Sequence, residues 1–161
     1  MTTLARALAD YRAYHRDHRN VLTHALGIPL IVLAVEILLA RPVIEVAGLP
    51  FTPAIVLSAI AAVWYLRLDA KAGLVMTIFL ALFVAAGAQI AAMSNAAWLI
   101  GVALFLIGWA FQFIGHHYEG RKPAFVDDVK SLLVGPLFVA MEGLFALGLM
   151  QNLQREVEAL G

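Results

Sequence analysis

Gly73 to Met93 (GLVMTIFLALFVAAGAQIAAM), Ser94-Asn95 and Ala96 to Gly115 (AAWLIGVALFLIGWAFQFIG) follow one another without a single Asp, Glu, Lys or Arg. Each apolar run has the roughly twenty residues that a helix needs to cross a bilayer, and a two-residue polar turn joins them. The stretch predicts an antiparallel pair of membrane helices.

Working toward the N-terminus, Phe51 to Leu66 is a shorter apolar run closed by Arg67, Asp69 and Lys71, and Val21 to Ala40 is another that ends at Arg41-Pro42. Asn20 is the expected N-cap of that first span. Residues 4–18 alternate Leu4, Leu8, Tyr11 and Tyr14 with Arg6, Asp10, Arg12, Arg16 and Asp17. This segment is too polar to span and suits an amphipathic helix lying in the membrane interface. Toward the C-terminus, Leu132 to Met150 is a fifth apolar run interrupted by Gly135-Pro136, so whether it crosses fully is open. The tail from Gln151 is expected to be polar and frayed. The predicted fold is therefore all-α: a multi-pass transmembrane bundle in one domain, 1–161, with four to five spans near 21–40, 51–66, 73–93, 96–115 and 132–150.

Composition agrees, with 63% apolar and 14% charged residues, outside the range of soluble domains. The absence of cysteine excludes disulfides, thiolate ligands, iron–sulfur clusters and a thiol nucleophile. A net charge of zero, with the basic residues scattered over connectors, excludes a nucleic-acid footprint. The N-terminus lacks the apolar core of a secretory signal and is expected to be retained. If five runs cross, Arg6, Arg12, Arg16, Arg19, Arg67, Lys71, Arg121, Lys122 and Lys130 share one side, and Arg41 and Arg155 the other. That bias predicts a cytoplasmic N-terminus. The alanine-rich composition points to a bacterial inner membrane.

The same alternation of spans places His15, His18, His24, His116 and His117 on one side. His15 and His24 would face apart on one unbroken helix, but a break near Asn20 lets His15 fold over His24. Tyr14, Asn20 and Asp127-Asp128 are candidates to orient such imidazoles through hydrogen bonds. Gln112, His116 and Glu119, at i, i+4 and i+7, form a stripe if the fourth helix continues, bringing an imidazole and a carboxylate to one point. Two or three His with a carboxylate and open positions suit a mononuclear non-haem iron(II) centre, while zinc or manganese also fit. Arg121 and Lys122 are candidates to clamp a fatty-acid carboxylate or an anionic head group. Glu142 and Glu36 are intramembrane carboxylates and functional candidates for that reason. Taken singly, each His is equally explained as an interfacial hydrogen-bonding residue, Arg121 and Lys122 as topology signals, and Glu36 and Glu142 as helix-to-helix glue.

Tyr11-Arg12-Ala13-Tyr14-His15, Asn20-Val21-Leu22-Thr23-His24, Gln112-Phe113-Ile114-Gly115-His116 and Glu119-Gly120-Arg121-Lys122-Pro123 resemble the Mpo1-like family of 2-hydroxy fatty acid dioxygenases. The resemblance runs along essentially the whole chain, through Asp127-Asp128, Gly135-Pro136 and Glu142. It implies an iron(II)-dependent dioxygenase that shortens a long-chain 2-hydroxy fatty acid by one carbon with molecular oxygen, and His15, His24 and His116 as metal ligands. Spacing in the second block departs from the family pattern, which leaves His117 as an alternative to His116 and weakens a catalytic role for Glu119. Two other readings stand beside it: a zinc-dependent lipid hydrolase with Glu119 or Glu142 as base, and a non-enzymatic transporter or scaffold in which Glu36, Gln89, Gln112 and Glu142 line a path. Self-association into a homo-oligomer is open.

Overall fold

A computed structural model describes residues 2–120, 122, 126 and 128–161. Its elements are α1 (Thr3–Ala13), α2 (His18–Leu38), β1 (Ile44–Val46), β2 (Leu49–Phe51), α3 (Pro53–Leu68), α4 (Ala70–Met93), α5 (Trp98–Glu119), α6 (Ser131–Ala146) and α7 (Gln151–Glu158). The chain is a helical membrane bundle in which α2, α4 and α5 are long and apolar enough to cross. α3, at 16 residues, is shorter.

Several boundaries differ from the sequence expectation for physical reasons. The interfacial helix stops at Ala13, and α2 begins at His18 rather than after Asn20, because Asp17 takes the cap position, its Oδ1 accepting from Arg19 N at 2.8 Å. Phe51, expected to open the second span, lies in a strand: the connector folds into an antiparallel hairpin that pairs Ile44 with Phe51 and Val46 with Leu49. The run 132–150 is not a straight span, since α6 and α7 meet at a 114° bend. The tail is helical, with Val157 buried.

Chain contacts group into two compact units, Pro29–Gly108 and the remainder, Met1–Ile28 with Trp109–Gly161. Within Pro29–Gly108, Asp69 ends α3 and caps α4, its Oδ1 accepting from Lys71 N and Ala72 N at 2.9 and 2.8 Å. Gly87 and Gly101 let α4 and α5 approach Glu36 and Ile37-Leu38 of α2 so closely that a Cβ at either would press on them. Both contacts fall at one level of α2 on either side of the Ser94–Ala97 turn, so α4 and α5 run antiparallel, as the opening stretch predicts. Buried Glu36 accepts from Ser58 Oγ at 2.6 Å, and Gln89 is exposed.

In the other unit Leu4, Leu8 and Tyr11 of α1 are buried, as are Leu137, Phe138 and Met141 of α6. Gly135 lies under the Tyr11 ring and Ile28, where a Cβ would come within 3.0 Å of the Tyr11 hydroxyl. α7 returns to the start of α1, where Thr2 Oγ1 donates to Glu156 at 3.2 Å. This unit carries the three convergent histidines.

Candidate metal centre

His15 follows α1, whose last turn leaves the Tyr11 carbonyl available. The His15 Nδ1–H donates to it at 2.8 Å, and the Tyr11 ring stacks on the imidazole with centroids 4.2 Å apart and planes 12° from parallel. His24 lies in the second turn of α2 and uses the same device: its Nδ1–H donates to the Asn20 carbonyl at 2.9 Å. A carbonyl can only accept, so both rings are the Nδ1–H tautomer when neutral and both Nε2 atoms carry lone pairs. Those two Nε2 atoms face each other at 3.2 Å. Opposed lone pairs at that distance repel unless a cation sits between them.

The third imidazole comes from α5, which runs unbroken through His116 to Glu119. The His116 ring is 5.2 Å from His15 and 4.9 Å from His24, and its Nδ1 is buried without a partner among the described residues. One ring nitrogen from each of the three lies within 4.8 Å of the others. All three side chains are buried. His117 and His18 are exposed, so of the two candidates in the second block it is His116 that joins the cluster.

This donor set fits a metal ion. With metal–nitrogen bonds of about 2.1 Å, the 3.2 Å spacing subtends roughly 100° at the ion, as adjacent ligands do in tetrahedral or octahedral geometry. Three imidazoles leave coordination positions open, and neutral nitrogen donors suit iron, zinc, copper or nickel. Burial pushes His15 below its ordinary value of 6.5, against weaker upward pulls from the Tyr11 carbonyl and the Glu119 charge, so the ring is available in the neutral form that ligates.

Glu119 is placed differently from the carboxylate that the stripe suggests. Its Oε1 accepts from Arg16 N at 3.0 Å, and its Oε2 accepts from Asp17 N at 2.9 Å and Asn20 Nδ2 at 3.0 Å. The carboxylate thus clasps the α1–α2 linker and orients Asn20, whose carbonyl in turn orients His24. Gly115 makes this closeness possible: a Cβ there would collide with Thr23 Oγ1 and Asn20 Oδ1 and come within 3.2 Å of His24 Nδ1. Gln112, one turn before His116, is buried, and its Nε2 has no partner among the described residues. Tyr14 caps the end of α1 and is half-buried. Lys122 is exposed, and Glu142 on α6 lies within electrostatic reach of Arg12 and Glu158. Arg121 and Asp127 fall outside the described residues.

Sequence reasoning passed over Tyr11, Gly115 and Phe138 as site residues. Tyr11 was signalled by its i, i+4 relation to His15. Nothing local marks Phe138, which reaches the Tyr11 and His15 rings from α6.

The model of the family described as 2-hydroxy-palmitic acid dioxygenase Mpo1-like matches residues 1–147. The chain belongs to the Mpo1-like family. A relative, the 2-hydroxy-palmitic acid dioxygenase MPO1 of Saccharomyces cerevisiae, is 34% identical over 156 residues, covering 94% of this chain and 85% of its own. No solved structure matches. The family match takes in α1 to α6 and ends beyond Ala146, so every residue of the histidine cluster and of the Glu119 clasp lies inside it.

Replacing Glu119 by Gln should loosen this Mpo1-like clasp. The amide would set an N–H donor against at least one of the three donors that the carboxylate now accepts. Expected are a loss of roughly 1–3 kcal/mol in unfolding free energy and a fall of about 10–100-fold in metal affinity. Chemical denaturation and metal titration of the purified variant read the two effects.

Proposed function

We propose that this chain is an iron(II)-dependent dioxygenase that removes one carbon from long-chain 2-hydroxy fatty acids at the cytoplasmic face of a membrane. The carrying observation is the pair of Nε2 lone pairs facing each other at 3.2 Å beside a third imidazole, in a family named for a dioxygenase. Zinc has no redox chemistry, so an oxygen-using reaction disfavours it, and iron is the redox-active ion that the resemblance to 2-hydroxy fatty acid dioxygenases implies. When bound, the metal supplies oxygen activation and a Lewis-acidic point for the carboxylate and 2-hydroxyl of the substrate.

The residues of the chain hold this arrangement. The Tyr11 and Asn20 carbonyls fix two imidazole tautomers, Glu119 fixes Asn20, and the buried rings of Tyr11 and Phe138 wall the site from water. Gln112 Nε2 is a buried donor left for a polar group of the substrate. A hydrolase reading with Glu119 as base needs its carboxylate free, and the oxygens of Glu119 are already taken by N–H donors.

A parity argument supports multi-pass topology. Asn20, near the start of α2, is hydrogen-bonded to Glu119 at the end of α5, so the chain crosses an even number of times between them. α2, α4 and α5 are long and apolar enough for three crossings, and on this reading the shorter apolar helix α3 makes the fourth. The Thr2–Glu156 bond returns α7, with Arg155, to the α1 side, which leaves Arg41 as the one basic residue on the other side among the described residues. Such a bias supports a cytoplasmic side for the histidines, and for a bacterial chain the membrane would be the inner one.

Purified protein loaded with iron(II) and supplied with 2-hydroxypalmitate under air should consume oxygen and yield an aldehyde or acid one carbon shorter, read by mass spectrometry. Zinc-loaded protein should yield neither, and turnover with zinc or without oxygen would overturn the proposal. Metal retention should also depend on pH. His15 is held below 6.5 in the folded chain, so the neutral folded form is fully favoured above that pH and loses this advantage as pH falls through 6.5 toward the lowered value. Protons compete for the same nitrogens, and iron content after dialysis should fall steeply in the same window.

A further inference from the structure

The β1–β2 hairpin is an excursion closed at its base. Ala54 N at the start of α3 donates to Leu39 O at the end of α2 at 3.0 Å. Arg41 reaches from the same base to Ala91 O and Asn95 Oδ1, at 3.1 and 3.2 Å, at the α4–α5 turn. The base therefore lies level with the far ends of the apolar helices. Ala47 and Gly48 both have positive φ, the conformation that two-residue hairpin turns require.

The pairing register sorts the hairpin into two faces. Side chains alternate along a strand, and the cross-strand pairs are Ile44 with Phe51, Glu45 with Pro50 and Val46 with Leu49. Ile44, Val46, Leu49 and Phe51 thus share one face, and Glu45 and Pro50 the other. The four apolar residues are 40% to 62% exposed, so nothing among the described residues covers them.

The length of α3 indicates what does. Its 16 residues rise about 24 Å, against the roughly 30 Å of a hydrocarbon layer. The shortfall falls next to a face made entirely of aliphatic and aromatic side chains. A two-stranded hairpin keeps unpaired backbone groups on its outer edges, which excludes the hydrocarbon centre but not the boundary below the head groups.

We infer that the hairpin is a membrane-seated wedge: Ile44, Val46, Leu49 and Phe51 lie in the headgroup–acyl boundary of the far leaflet, Glu45 points to water, and the wedge completes the apolar height that α3 lacks. This inference needs the membrane topology and is independent of the reaction at the histidines.

Because the chain has no cysteine, single substitutions report cleanly. Ile44→Cys, Glu45→Cys and Leu49→Cys, each carrying a nitroxide in phosphatidylethanolamine–phosphatidylglycerol vesicles, are compared by power saturation with oxygen and with a water-soluble nickel chelate. The oxygen-to-nickel accessibility ratio is expected to be severalfold higher at 44 and 49 than at 45. Val46→Cys, on the same face, repeats the test should either apolar variant fail to fold. Equal, high nickel accessibility at all three positions would place the hairpin in water. Spin–spin broadening at 49 that disappears on dilution with unlabelled protein would assign the face to a second copy. Either result overturns the inference.

Discussion

Replacing His24 by Ala is expected to abolish stoichiometric metal binding and, with it, turnover of 2-hydroxy fatty acid. The expected loss exceeds the roughly 10–100-fold that follows removal of a mere orienting partner. The stability readout separates this from simple unfolding. An ion that binds only the folded chain stabilises it by about 2.7 kcal/mol at a hundredfold excess over its dissociation constant, so iron(II) or its inert mimics should raise the melting temperature of the unaltered protein. The variant should show no such rise. In metal-free protein, removing His24 also removes one of two lone pairs opposed at 3.2 Å, which offsets part of the cost of the cavity left at a fully buried side chain. Metal-free variant and metal-free parent should therefore melt closer together than the metal-loaded pair. A variant that keeps a metal-induced shift of parental size would remove His24 from the ligand set.

Gly115→Ala is expected to be the most damaging single-carbon addition in the chain's histidine-bearing unit. The added Cβ meets two oxygens, Thr23 Oγ1 and Asn20 Oδ1, and then His24 Nδ1. Neither α2 nor the Glu119 clasp can yield without moving the imidazole. Overpacking of this kind costs about 1–3 kcal/mol, and displacement of His24 should weaken metal binding in parallel. Gly143→Ala is the control: nothing among the described residues lies within 4 Å of a Cβ there, so the change should be neutral or slightly stabilising through lost chain entropy. Thermal melts with and without metal distinguish the two. Equal behaviour of the variants would show that α5 does not depend on a side-chain-free approach at 115.

These effects also show what could be read from the residues alone. Apolar runs of about twenty residues announced α2, α4 and α5 to within a few positions, because membrane crossing imposes a length that composition displays directly. His15, His24 and His116 were candidates because parity of crossings brings distant residues to one face. The role of Glu119 was hidden: a carboxylate that ligates a metal and one that accepts backbone N–H groups leave the same mark in a sequence. The hairpin was hidden because Val43 to Phe51 is too short and too interrupted by Gly48 and Pro50 to display a period. The bend after α6 was half visible, in that Pro136 warned of a break, yet α6 continues past it and turns instead beyond Ala146.

The clasp has a consequence for biosynthesis. Asn20 and the carboxylate that positions it are 99 residues apart, and the third imidazole is as late in the chain as its holder. A nascent polypeptide with its first four helical elements already inserted would have two of the three clustered imidazoles, and would lack both the third and the carboxylate that holds Asn20. Ion capture is thus deferred until translation has passed the last long helix. Half-made chains would then lack a complete set of imidazoles to hold an ion.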